Sequence, residues 1–329
     1  MIITRTPLRY TIGGGGTDLP AYYTQHGGFV VSAAIDKYMY ISVNRLIVED
    51  LIRLKYSKSE SAVTPDAIEH DIVRNTLKLV GIEKAIEISS QADVPGGTGL
   101  GSSSSYAVGL LTALHALQRK HISTQDLAEL ACHVEIDLCK KPIGKQDQYI
   151  AAHGGVTAFH IAPDGKVRVE EGVLQQSVLD VLEHNTLLFY TGMTRSADNI
   201  LGEQKIALSK SASATGEYLH QIKEIGYRIF EALKTGNVTD FGLLTHEHWL
   251  VKQRLSTKIS DPRINDLYQL ARDNGALGGK ITGAGGGGFL VVYVEEHRQK
   301  VRKALEGAGL RELRYRLDFD GSKVIANIV

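Results

Sequence analysis

The chain has 329 residues, of which 37 are Lys or Arg, 37 are Asp or Glu, 43% are hydrophobic and 34 are glycine. Balanced charge favours neither nucleic acid nor an anionic membrane as a partner. The opening MIITRTPLRY lacks the apolar core of a signal peptide, and no apolar run approaches the ~18 residues of a membrane span, so a cytoplasmic protein is expected.

In chain order, FVVSAAI (29–35) and MYISVNRLIV (39–48) read as two strands rich in β-branched residues, followed by RLKYS (53–57). A helix is expected over 67–80, closed by Gly81, then a strand over 85–90. PGGTGLGSSSSYAVG (95–109) leads into a helix over 104–117 with Leu110, Leu111, Leu114 and Leu117 as its apolar stripe. Ser123 to Asp126 resembles a capping box and opens a helix to Cys139, with Pro142 beyond its end. GVTAFHI (155–161) and KVRVEE (166–171) form a hairpin about Asp164 and Gly165. A boundary near 170–180 divides the chain into residues 1–172 and 173–329. The second part offers a strand at 187–192, long helices over 197–235 and 238–256, and a helix entered at Asp261-Pro262 and closed at Gly275. A strand at 289–294, a helix over 296–307 and a hairpin turned at Asp320-Gly321 complete it. Hairpins among mixed strands and helices give an α+β class. Cys132 and Cys139 lie seven apart in one helix, too far for a disulfide, and read as buried thiols.

The glycines cluster at 13–16, 96–101 and 283–288. A Walker A loop is excluded: Gly279-Lys280 comes nearest, but Ile281 follows and Asn274 stands where the first glycine belongs. A dinucleotide fingerprint is excluded because Gly97 to Gly101 has the wrong spacing and lies mid-chain. What remains is a loop ahead of a helix, where unpaired N–H groups and the helix dipole favour an anion. A plain Gly/Ser connection with a capping serine is the competing reading.

In the helix over 124–139, Leu127, Ala131, Val134 and Leu138 form the apolar stripe, and Glu135 lies on or beside it. An inward carboxylate needs a partner. A magnesium ion carrying ATP phosphates is one, and a salt bridge at the edge of the stripe is the other. Asp147 follows in KPIGKQDQY, which Pro142 and Gly144 keep out of the preceding helix. Two carboxylates, one for a metal and one for a nucleophile, suit phosphoryl transfer.

Taken together, RTPLRYTIGGGGTDLPAYY (5–23), PGGTGLGSSSSYAVG (95–109), VEIDLCKKPIGKQDQY (134–149) and KITGAGGGGF (280–289) resemble the GHMP kinases. GGGGTDLPAYY, YTGMTRSADNIL (190–201) and GALGGKITGAGGGG (275–288) are most similar to the branch acting on D-glycero-D-manno-heptose 7-phosphate. The resemblance implies a domain like ribosomal protein S5, a C-terminal ferredoxin-like domain, and a site between them. It implies that Pro95, Gly96, Gly97, Thr98, Gly99, Leu100, Gly101, Ser102, Ser103 and Ser104 wrap the ATP phosphates, with Ser103 and Glu135 as magnesium ligands. Asp147 would be the base or orienting carboxylate. Arg9, where many relatives carry lysine, would pair with it and stabilise charge on the transferred phosphoryl. Gly14, Gly15, Gly16, Thr17 and Asp18 would hold the sugar, with Asp18 accepting from its hydroxyls. Gly283, Ala284, Gly285 and Gly286 would close over the phosphates and acceptor.

The implied reaction is ATP- and Mg2+-dependent phosphorylation of the anomeric hydroxyl of the heptose 7-phosphate, giving the 1,7-bisphosphate for nucleotide-activated heptose synthesis. The alternatives are another sugar 1-kinase, for fucose or a hexose, and a non-catalytic sugar or nucleotide sensor on the same fold. For the sugar phosphate's own charge, Arg195 in TGMTRSA is the candidate, while Lys252, Arg254 and Lys258 read as solvated surface charge. His246 and His248 are two apart on a helix, so no metal site is expected there. The oligomeric state is not determined, and a homodimer stays open.

Overall fold

The computed structural model describes residues 1–193, 214–256 and 258–328. Arg195 and the expected start of the helix over 197–235 lie outside these residues. The chain begins with β1 (Ile2–Gly13), α1 (Pro20–His26), β2 (Gly28–Arg45), β3 (Ile52–Lys55), β4 (Ser59–Ala62), α2 (Asp71–Val80) and β5 (Ile86–Ala92). There follow α3 (Ser102–Leu117), α4 (Thr124–Cys132), a π-helical turn over His133–Leu138, α5 (Gln146–His153), β6 (Val156–Ile161) and β7 (Val167–Glu170). Next come α6 (Gln176–Asn185), β8 (Thr186–Tyr190), α7 (Ala214–Lys234), α8 (Val238–Lys252) and α9 (Pro262–Asp273). The chain closes with β9 (Gly278–Ile281), β10 (Phe289–Tyr293), α10 (Arg298–Gly307), β11 (Arg311–Glu312) and β12 (Lys323–Asn327).

Among the described residues, eight strands form one sheet in the order β12-β1-β2-β5-β3-β4, with β6 on β2 and β7 on β6. Four strands, β11-β8-β10-β9, form the other. The α+β class therefore holds. The spine of the larger sheet is β1 against β2, paired antiparallel from Ile2 opposite Val43 to Gly13 opposite Val31 with register shifts after Pro7 and after Thr11. Along β2, residues 28–33 pair with β6 and residues 39–45 pair with β5. The expected break between 35 and 39 is a bulge opposite Pro7 and Leu8, where proline cannot donate to the ladder, and one strand runs straight through.

β1 was not expected, and its burial explains why. Period-two alternation sends Leu8, Tyr10 and Ile12 into the core shared with the smaller sheet and with α7, α8 and α9. The opposite face carries Arg9 and Thr11, both also buried, so no contrast between an apolar and an exposed face marks the strand. A second core lies on the far side, where α2, α3, α4 and α5 cover β1, β2, β3 and β5. Asp320 and Gly321 do not turn a hairpin: the chain instead returns β12 to pair antiparallel with β1. Both cysteines are free, Cys132 buried and Cys139 half-buried.

α3 approaches the spine at Gly109, where Thr4 Oγ1 donates to its carbonyl at 3.1 Å and an added Cβ would lie 2.7 Å from Thr6 Oγ1. Gly109→Val should therefore lift the helix that carries the glycine loop and destabilise the protein by about 1–3 kcal/mol. A lowered midpoint in urea denaturation checks this; an unchanged midpoint contradicts it.

Candidate active site

A cleft of about 370 Å³ opens between the polar face of β1, the loop before α3 and the start of α5 on one wall. The end of α8, β9 and the first residues of the third glycine cluster form the other. Gly97, Gly99 and Gly101 alternate in left-handed backbone conformation (φ 76–78°), and Gly101 itself caps α3 without any side-chain cap. The helix thus begins at Ser102, two residues earlier than its apolar stripe suggested. Its first-turn N–H groups, which lack intrahelical acceptors, belong to Ser102, Ser103 and Ser104 at the cleft wall. Thr98 and Leu100 are buried behind this wall, and Pro95 and Gly96 are exposed outside it.

Arg9 ties this loop to α5. Its Nε donates to Asp147 Oδ1 at 2.6 Å, its Nη2 pairs with Asp147 Oδ2, and its Nη1 donates to the Gly99 carbonyl at 2.6 Å. The backbone N–H of Arg9 also donates to Leu100 O at 3.0 Å. A bidentate fork fixes the carboxylate in orientation as well as position. Asp147 sits in the first turn of α5, a short helix that no sequence pattern marks, and its side chain is 23% exposed toward the cleft.

Glu135 is inside, with a fully buried side chain. Ser103 Oγ donates to its Oε1 at 2.6 Å and Gln148 Nε2 to its Oε2 at 2.7 Å, while Lys141 Nζ stands 3.6 Å away. The helix expected to continue to Cys139 changes pitch here: Cys139 N–H donates to Val134 O, five residues back. The extra residue in that turn keeps Glu135 inward and swings Leu138 out to 38% exposure, so Leu138 leaves the expected stripe. A hydroxyl and a carboxylate this close beside a phosphate-type loop are oxygen donors of the kind magnesium uses together with phosphates. Lys141, which also donates to Ser103 Oγ at 3.1 Å, supplies the positive charge at that point.

Asp18 is buried at 2% exposure and lines the cleft with Gly15 and Gly16. It accepts from the N–H groups of Gly16 (3.0 Å) and Gln146 (3.1 Å) and from Gln146 Nε2 (3.3 Å). Burial raises its pKa, the backbone bond from Gln146 opposes that rise, and the charge of Asp147 adds to it. Gly144 packs so closely on this carboxylate that a Cβ would overlap it. Gln146 accepts in turn from Thr11 Oγ1 at 2.7 Å and Ser32 Oγ at 3.1 Å. Gly14 and Thr17 do not line the cleft: the Thr17 hydroxyl donates inward to Gly14 O and Phe29 O, holding the turn.

From the other wall, Gly283 and Ala284 reach the cleft, whereas Gly285 and Gly286 back onto Ile259. Lys252 corrects the expectation of solvated charge. It is 8% exposed, and its Nζ donates to the carbonyls of Ile281 (3.2 Å) and Gly283 (2.6 Å). Burial, helped by the charge of Arg9, lowers its pKa to about 7. Lys280 (3% exposed) and His248 (1% exposed) line the same cleft and were not singled out for it. The signal for Lys280 was its place in GGKITG, directly ahead of a glycine loop. No sequence pattern marked His248 as inward. His246 instead bonds the Tyr268 hydroxyl at 2.6 Å.

Residues 68–155 match the family model for the GHMP kinases N terminal domain, and residues 229–310 match that for GHMP kinases C terminal. The chain is 29% identical to the D-glycero-alpha-D-manno-heptose 7-phosphate kinase of Campylobacter jejuni, over 98% of this chain and 97% of that one. It is 26% identical to the L-fucokinase/L-fucose-1-P guanylyltransferase of Bacteroides fragilis, over 91% of this chain and 35% of that longer protein. A crystal structure described as a D-glycero-D-manno-heptose 1-phosphate kinase from Bacteroides thetaiotaomicron aligns over 100% of both chains, with a TM-score of 0.81 at 23% identity, a likeness of fold.

With Ser103 and Glu135 as the oxygen pair, Glu135→Gln should raise the magnesium concentration needed for half-maximal turnover by about 10–100-fold, the range of altered metal shells. A magnesium titration of the variant, giving an unchanged midpoint, would remove Glu135 from that role.

Proposed function

Because this chain belongs to the GHMP kinase family and is a sugar kinase within it, we propose that it transfers the ATP γ-phosphoryl to the anomeric hydroxyl of D-glycero-D-manno-heptose 7-phosphate. The product is the 1,7-bisphosphate, a precursor for nucleotide-activated heptose. The observation that carries the reading is the Arg9 fork, which holds the carboxylate nearest the acceptor while bonded to the loop nearest the donor. The length-matched likeness to the Campylobacter enzyme supports the choice of sugar.

In this reading the acceptor lies against Gly15, Gly16, Asp18 and Gln146, with its anomeric oxygen at Asp147. An anomeric hydroxyl is more acidic than other sugar hydroxyls, so a carboxylate suffices to accept its proton as the new P–O bond forms. Arg9 stays charged throughout and offsets the negative charge that spreads over the transferred phosphoryl. The αL glycines and first-turn N–H groups of α3 hold the donor phosphates without Cβ obstruction. Magnesium, when held by Ser103 and Glu135, supplies neutralisation of those phosphates. Positioning does most of the work, as phosphoryl transfer asks little covalent chemistry of a protein.

Asp147→Asn should retain nucleotide affinity and lose about 10²–10⁴-fold in turnover, the usual contribution of a positioned acid or base. Nucleotide titration beside steady-state assays separates the two effects, and near-normal turnover would exclude Asp147 as the proton acceptor. The substrate is tested by ADP release with heptoses and hexoses bearing or lacking a terminal phosphate, and by phosphorus NMR of the product. A product phosphorylated away from the anomeric carbon, or faster reaction with fucose, overturns the heptose assignment.

A further inference from the structure

We infer that His248, Lys252 and Lys280 form the subsite for the phosphate monoester that the acceptor already carries, a deepening that rests on the heptose 7-phosphate reading. All three line the cleft from the wall opposite the donor loop, and each is more than nine-tenths buried. Lys280 Nζ donates to the carbonyl of Ile12 at 2.6 Å, and Lys252 Nζ donates to two carbonyls. Neither ammonium pairs with a carboxylate among the described residues. Both ring nitrogens of His248 lack a hydrogen-bond partner among the described residues. Three buried nitrogen groups without a counter-anion are costly to leave that way. A dianion in the cleft satisfies them together.

The placement along β1 selects which phosphate. Arg9 and Asp147 mark the reacting end; Lys280 is anchored at the carbonyl of Ile12, three residues or about 10 Å of strand further along β1, and Lys252 lies toward Arg9. That spacing suits a sugar extended from its anomeric carbon to a terminal phosphate. The donor phosphates belong to the loop at the start of α3, and the transferred group is already served by Arg9. A neutral hexose would bring no counter-anion to the two lysines, which bond only backbone carbonyls, and no charged partner to His248. Asp18, Asp147 and Lys141 line the cleft with the cluster, and the charges that shift its pKa values are Arg9 from β1 and the cluster's own members. Burial first, and then these neighbours, lower the pKa of Lys252 to about 7 and those of Lys280 and His248 well below their usual values. The positive charge is therefore built up as the anion arrives, and binding takes up protons.

Calorimetry at pH 8, with a non-hydrolysable ATP analogue present and two buffers of different ionisation enthalpy, tests the subsite. Heptose 7-phosphate should bind the wild-type protein at least about tenfold more tightly than heptose, with net proton uptake. Lys280→Gln and His248→Gln should each erase about tenfold of that preference and reduce the uptake while keeping analogue affinity. Lys280→Arg should restore the preference. The His248 nitrogen resonances should move to imidazolium positions when the sugar phosphate is added, which a purely structural histidine would not do. Variants that bind the analogue normally and keep the full preference overturn the subsite and leave the heptose 7-phosphate reading intact. A wild-type protein without any preference, forming product from neutral heptose equally well, overturns that reading and the subsite with it.

Discussion

Arg9 is buried at 4% exposure in the middle of the longest strand pair, and a buried guanidinium is tolerated only when its donors are met. Asp147 meets two of them and the Gly99 carbonyl a third. That requirement couples three separate segments: β1, the glycine loop and α5 cannot move apart without stranding a buried charge. Gly101 completes the coupling, since a Cβ there would lie 3.2 Å from the guanidinium. The glycine serves two needs at once, left-handed backbone at the start of α3 and room for the arginine beside it.

The two walls of the cleft carry charge differently. On the wall of the larger sheet every charge has a partner: Arg9 with Asp147, Glu135 with Ser103, Gln148 and Lys141, and Asp18 with Gln146 and Gly16. On the opposite wall, Lys252 and Lys280 lean on backbone carbonyls, and His248 leans on nothing among the described residues. A finished network on one side holds its side chains in fixed orientations, and an unfinished one on the other can be completed by a ligand. The third glycine cluster joins the two: a Cβ added at Gly283 would lie 2.9 Å from Gly99 Cα, and the Gly283 carbonyl accepts from Lys252.

Much of the architecture was legible wherever a local rule decides the outcome. Ser123 caps α4, Asp261 caps α9 ahead of Pro262, and the Asp164-Gly165 turn joins β6 to β7. Elements whose pattern is set by long-range burial were not legible. β1 is covered on both faces, β2 runs through the polar residues Asp36 and Lys37, and β12 pairs with a strand more than 300 residues away. α1, α5 and α6 are ten residues or fewer and none is opened by a side-chain N-cap. The helix carrying Glu135 was read with a constant 3.6-residue period, and the π-helical turn broke that period at Leu138.

By itself the sequence determined the chemistry on offer: three glycine loops, a serine-led helix start, and carboxylates at 135 and 147, in an order that resembles one kinase family. These features rest on residue type and nearest neighbours, which a linear chain displays in full. Only the tertiary structure decided what each charge faces. Lys252 reads as surface charge because a lysine at the end of an amphipathic helix has no intrinsic reason to be buried. It is buried because α8 packs on β9 and brings the helix end beneath Gly283. The partnership of Arg9 with Asp147, 138 positions apart, likewise exists only once β1 and α5 share a face of the sheet.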